Sequence, residues 1–386
     1  MKIQGFLYIV GYSLLYFLLS TIIYFFSVNS GYNGLSLPIF GGGDDGQFYY
    51  EQAMKFANGE PYIYTSIHIW VLGGILSLFK TDSVMVLRFF NYIANIIILA
   101  TSLLILKKIV NKKAFHMSAT LLILILTFYP SLLLNSTLSI YRDIWIYTFY
   151  LLSLYLFINV FISNGKWPRT FNLILLVFAL LMLGGYRKYA LLSFLIGSMI
   201  YLMLKQMSKK KIKLYKVGGI LFIGLSVFYA LFRDVKLPIV GLSFSDVLQY
   251  RQVNLEAGGS QMGISLDHPN IVLFYLNYLY SFMSNFIGPF PWQVTGGATL
   301  ILMVTEGVVF FFISIYLIRR IKYFSNVEVF LLMQVVIWFL LISISNDNFG
   351  TSSRLRIIGW IPLIIIFVKH FSEDMCNKKE KLKYSS

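Results

Sequence analysis

The chain has 386 residues, of which 58% are hydrophobic, 18% aromatic and only 12% charged. A soluble domain carries about a quarter charged residues, so a soluble globular fold is excluded. The formal charge of +16 is concentrated in short connections between apolar runs, where it marks membrane orientation and gives no sign of a nucleic-acid partner. Cys376 is the single cysteine, so no internal disulfide forms.

Runs of about 20 apolar residues recur from end to end, the length that crosses a bilayer as helix. The first run, 5–27, is too long for a signal-peptide core and lacks a small-residue cleavage site before Val28, so it reads as a retained span. The basic clusters are Lys107-Lys108 with Lys112-Lys113, Lys166 with Arg169, Lys205 to Lys216, Arg319-Arg320-Lys322 and the tail from Lys378. Placing them all in the cytoplasm puts both termini inside. It predicts about ten spans: 5–27, 85–106, 117–136, 142–163, 170–185, 189–206, 217–232, 298–318, 327–345 and 356–371. The expected fold is therefore an all-α polytopic membrane protein, residues 1–386 forming one integral domain in the cytoplasmic membrane. Two long outer loops, about 28–84 and 233–297, are expected to carry interfacial or re-entrant helices at 66–79 and 271–287, and 372–386 is a cytoplasmic tail. The turn Gly288-Pro289-Phe290-Pro291-Trp292 supports the second of these, because two prolines break a helix and Trp292 suits the headgroup layer.

The first outer loop carries Gly41-Gly42-Gly43-Asp44-Asp45-Gly46-Gln47-Phe48-Tyr49-Tyr50. Asp45 onward reads as a helix opening, and acids there match the helix dipole. Asp44 or Asp45 caps that helix, or one of the pair faces a reaction centre as general base for an acceptor hydroxyl or as ligand to a divalent metal. The outer face also holds Arg142, Arg187, Lys188, Arg251, Arg354 and Arg356, several at span ends and against the positive-inside trend. Guanidinium forks match phosphate oxygens, so these are candidates for holding a substrate phosphate. Pairing with outer-loop acids and snorkelling to lipid headgroups are the structural alternatives. Tyr49, Tyr50 and Trp292 are candidates for stacking on sugar faces, a role that an aromatic belt explains equally well. Glu306 lies inside a span, where a carboxylate is either functional or bonded to a neighbouring helix. His268 is a weaker candidate for acid–base chemistry, and His68 and His116 show no ligand spacing.

A first span, then an outer loop with an acidic pair, Tyr49, Ala53 and Gly59-Glu60-Pro61-Tyr62, resembles the GT-C superfamily of membrane glycosyltransferases. The resemblance implies a sugar donor on a polyprenyl or dolichyl phosphate, a glycan acceptor, and a catalytic base at Asp44 or Asp45. It also implies surface helices after the acidic motif. Tyr129-Pro130-Ser131 and Tyr141-Arg142-Asp143 resemble motifs shared with bacterial envelope polysaccharide polymerases, whose functional outer-loop arginines correspond to Arg251, Arg354 and Arg356.

The expected function is glycosyl transfer at the outer face in envelope polysaccharide or glycan assembly, in contact with membrane lipids and other assembly proteins. Repeat-unit polymerisation is the close alternative. A lipid or polysaccharide flippase fits less well, because the spans are almost free of charge and show no internal repeat. No cofactor is required by the residues, and a divalent metal stays open.

Overall fold

The computed structural model describes residues 3–35, 37, 45–162, 168–207, 219, 223, 224, 226, 233–236, 241–256, 260–268 and 270–385. The chain divides into two compact units, Met1–Arg187 with Ile364–Ser386, and Lys188–Leu363. The first carries α1 (Ile3–Asn29), α2 (Asp45–Ala57), α3 (Ile67–Phe79), α4 (Val84–Ile109), α5 (Phe115–Thr127), α6 (Pro130–Thr137), α7 (Asp143–Phe157) and α8 (Arg169–Tyr186). The second carries α9 (Lys188–Met207), α10 (Phe244–Glu256), α11 (Ile271–Ile287), α12 (Gly297–Leu302), α13 (Val308–Arg320) and α14 (Asn326–Ser345). A last helix, α15 (Phe349–Ser385), begins in the second unit and ends in the first.

This is an all-α, multi-pass membrane protein. Among the described residues eight helices are long and apolar enough to cross a membrane, and the bent pair α5 and α6 supplies a ninth if counted as one span. These coincide with the expected spans, apart from 217–232, most of which lies outside the described residues. The bend of 59° between α5 and α6 follows from Pro130. Proline has no N–H to donate and forces the residue before it out of the α region. Tyr129 accordingly has ψ 106°. Tyr16 of α1 donates from its hydroxyl to the carbonyl of Leu126, 2.9 Å away, at the end of α5.

The two apolar segments expected not to cross form α3 and α11, each below the length of a span. Gly73 lets α3 press closely on α2, since a Cβ there would lie 2.8 Å from the Ala53 carbonyl oxygen. Their shared core includes Tyr49, Ala53, Ile69, Leu72 and Leu76, closed by Leu87 of α4 and by Ile140. Burial of such side chains stabilises the pair by about 25 cal/mol per Å² of apolar surface removed from water, and it holds the start of α2 against the turn between α6 and α7.

In the second unit α14 opens with a reciprocal cap between Ser325 and Glu328. The Glu328 Oε2 accepts from the Ser325 backbone N–H at 2.8 Å, and Ser325 Oγ accepts from the Glu328 N–H. Gln334 of the same helix donates to Ser198 Oγ of α9 at 2.9 Å, so this amide is satisfied within the apolar layer.

Candidate active site

In the first unit four charged groups surround one tyrosine. Asp45 sits exposed in the first turn of α2. Tyr49 follows one turn later and is buried. The Arg142 guanidinium lies over the Tyr49 ring, 5.6 Å from its centroid. Arg142 is half-buried, its Nε is enclosed, and among the described residues that Nε has no hydrogen-bond partner. Asp143, in the first turn of α7, accepts from Arg187 Nη1 at 2.9 Å. The acid thus occupies the positive end of one helix. Arg187 occupies the negative end of α8, its N–H bonded to the Leu183 carbonyl.

The electrostatics of Tyr49 report this assembly. Burial pushes its hydroxyl up to about 12; Arg142 opposes that rise, Asp143 and Asp45 add to it, and Arg187 opposes it. Tyr49 therefore stays neutral and acts as a wall. One ring face is taken by Arg142 and its edge by His68, 5.2 Å away, so its ring is not open for sugar stacking. Tyr50 points elsewhere, its hydroxyl donating to the Asp82 carbonyl at 2.7 Å. Asp44 lies outside the described residues, as do Gly41 to Gly43.

His68 is fully buried between Tyr49 and Tyr186. Its Nε2 lies 3.0 Å from the Ile140 carbonyl, which only accepts, so Nε2 carries a proton. Burial pulls its pKa from 6.5 down to about 4. The folded state then binds fewer protons than the unfolded chain between these values, so stability is complete above pH 6.5 and falls as the pH drops toward 4. The expected loss at His68 across that window is about 3 kcal/mol. Thermal unfolding between pH 7 and 4 should show a steeper acid decline for the native protein than for His68→Gln. Parallel declines would count against the buried neutral ring.

The second unit disposes of its cations differently. Arg251 is 1% exposed. It donates to the carbonyls of Ile264, Ser343 and Asn346 and to Asp347 Oδ1 at 2.5 Å. Asp347 in turn accepts from the N–H groups of Gly263 and Ile264. Burial pulls the Arg251 pKa down to about 10, with Asp347 opposing, so the guanidinium remains charged at neutral pH. Arg356 is fully buried; Nη1 donates to the Gly288 carbonyl and Nη2 to Ser352 Oγ, with Glu306 Oε2 at 3.9 Å. Both arginines, expected to hold substrate phosphate, thus bind the protein's own chain. Glu306 lies on a π-helical turn, Met303–Gly307, and is the Arg356 counter-charge. Arg354 is half-buried one turn into α15, and Lys188 is exposed at the start of α9. Trp292 is 72% exposed, its ring stacked on Phe290 at 5.0 Å and its Nε1 donating to the Tyr280 hydroxyl. His268 is engaged by Asn277 at 2.8 Å.

No family model matches the chain, and no curated protein matches it. A solved structure does: the archaeal oligosaccharyltransferase AglB from Archaeoglobus fulgidus, in complex with an inhibitory peptide and a dolichol-phosphate. It aligns over 100% of this chain at 15% identity with a TM-score of 0.53. The likeness is one of fold. The chain spans about half of that relative, since the alignment covers 52% of its length.

Three residues of the first unit escaped the sequence reading of function. Asp143 stood there only within the Tyr141-Arg142-Asp143 motif, with no partner or role assigned. Its partner, Arg187, is 44 positions away. His68 showed no ligand spacing and has none; its role is to bond a carbonyl. Arg88, 2% exposed on α4, lies inside a span, and the rule that singled out Glu306 would have found it. Among the described residues no group of three His, Cys, Asp or Glu side chains comes together.

Proposed function

We propose that the protein is a membrane glycosyltransferase that moves a sugar from a polyprenyl phosphate or pyrophosphate carrier to a glycan acceptor at the outer face of the cytoplasmic membrane. The observation that supports this most is the arrangement around Tyr49, where the solvent-exposed carboxylate of Asp45, one turn earlier on α2, and the Arg142 guanidinium over the ring act on one buried side chain. The likeness of fold to the oligosaccharyltransferase is consistent with it. An Asp44 or Asp45 carboxylate accepts the proton of the acceptor hydroxyl as its oxygen forms the new bond to the sugar C1. The bond from C1 to the carrier phosphate oxygen breaks, and that oxygen leaves with the electron pair. Arg142, assisted by the field of Arg187, stabilises the charge that develops on the phosphate. Clustering of basic residues in the opposite connections supports the orientation, with both termini cytoplasmic.

Two measurements test the reading. Asp44→Asn and Asp45→Asn should each leave the fold intact, and at least one should abolish transfer from a polyprenyl-linked donor. Normal transfer by both variants would remove the acidic base. Cells lacking the protein should accumulate an acceptor glycan missing a sugar. Accumulated single repeat units would instead identify a polymerase, and substrate movement with no covalent change a flippase.

A further inference from the structure

The turn that carries Arg142 is held by its own carbonyls. Four of the five residues before Arg142 give their carbonyl oxygen to a buried side chain of α3 or α4. Arg88 Nη1 donates to Thr137 at 2.7 Å and Nη2 to Leu138 at 2.7 Å. His68 donates to Ile140 at 3.0 Å, and Asn91 Nδ2 to Tyr141 at 3.1 Å. A carbonyl so held cannot rotate without breaking a bond, and a bond from a charged donor is stronger than one from a neutral donor.

The same guanidinium reaches the other side of the site. Arg88 Nε donates to the Gly34 carbonyl at 2.8 Å, and Nη1 lies 3.4 Å from the Ser20 carbonyl of α1. Gly34 has φ +84°, and a Cβ there would collide with the Tyr24 ring, so glycine is required where the chain turns away from α1. One planar, five-donor group therefore fastens Gly34, a few residues after α1, and the turn presenting Arg142. Lysine has the charge and lacks the fork.

We propose that Arg88 is a positioning residue that fixes the turn carrying Arg142, without touching substrate. The proposal rests on the reading of Arg142 as the phosphate-binding group. Misplacing such a group by about 1 Å costs on the order of 100-fold in rate.

The test uses the full chain in lipid nanodiscs, with Arg88→Lys, Arg88→Met and Arg142→Ala. For each, hydrogen exchange across 137–142, thermal unfolding, and the Kd for a short-chain polyprenyl monophosphate are measured. In Arg88→Lys, exchange at 138–142 should rise about tenfold while α7 beyond its first turn keeps native protection. Affinity should fall about tenfold. Arg88→Met should do the same more strongly and should also lower the unfolding temperature, because the carbonyls of Gly34, Thr137 and Leu138 lose their donor. Unchanged exchange at 138–142 in both variants would overturn the proposal, as would uniform loosening of α4 and α7, which marks packing alone. It also fails if both Arg88 variants bind as tightly as the native protein while Arg142→Ala binds weakly. If Arg142→Ala itself binds normally, the functional reading falls and the proposal with it, an outcome distinct from failure at Arg88.

Discussion

Arg142→Ala is expected to lower kcat/KM for transfer from a polyprenyl-linked donor about 100-fold or more, the loss typical of removing one preorganised donor from a developing oxyanion. The fold should be little affected, because Arg142 makes no ion pair with a described residue and contributes mainly a contact with the Tyr49 ring. Arg142→Lys keeps the charge and loses the fork, so a partial defect of about tenfold is expected. Arg187→Ala should differ in kind. It leaves Asp143 buried without its counter-charge, so thermal stability should fall together with activity. Transfer kinetics and unfolding temperature measured on the same preparations separate these cases. Native kcat/KM in Arg142→Ala would sink the phosphate role, and an undiminished unfolding temperature in Arg187→Ala would show that its pairing with Asp143 is not structural.

The largest loss of stability is expected in the second unit. Arg251→Met or Asp347→Leu should each destabilise the protein by about 3–5 kcal/mol, since each leaves a buried charge or buried N–H and carbonyl groups uncompensated. Arg251→Met strips the Ile264 carbonyl of both its donors, Nε and Nη2. Asp347→Leu strips the N–H groups of Gly263 and Ile264. Both changes release the segment around Ile264 from the connection between α14 and α15. The effect should appear as a lower unfolding temperature of the purified chain and faster hydrogen exchange at 262–264. By contrast, replacing the exposed pair Arg233–Asp267, 37% and 58% exposed at the side chain, should change stability by less than about 1 kcal/mol. Equal effects at the two pairs would contradict the assignment of Arg251 to a structural clamp.

These two arginines show where reading a sequence succeeds and where it stops. Arg142 and Arg251 look alike along the chain: each is a cation between apolar helices, next to a tyrosine, and charge counting assigns both to the outer face. Hydropathy and charge find both in connections between spans, because those properties are averaged over local windows. They could not separate the two roles, because the partner that neutralises Arg251 is Asp347, 96 positions away. The helix opening at Asp45 was legible from acid placement, and the break before Pro130 follows from proline chemistry.

The sequence by itself determined that this is a helical, multi-pass membrane protein, where the spans among the described residues fall, and that the segments at 66–79 and 271–287 do not join them. Each of these follows from apolar run length, backbone hydrogen bonding in lipid and local charge. The tertiary structure alone decided that Tyr49 is a buried wall with Arg142 on its face, that Asp143 pairs with Arg187, that Arg251 and Arg356 serve their own backbone, and that Arg88 and His68 hold the turn of Arg142. Those facts depend on contacts between residues tens of positions apart, and no local pattern encodes which donor finds which acceptor once the helices pack.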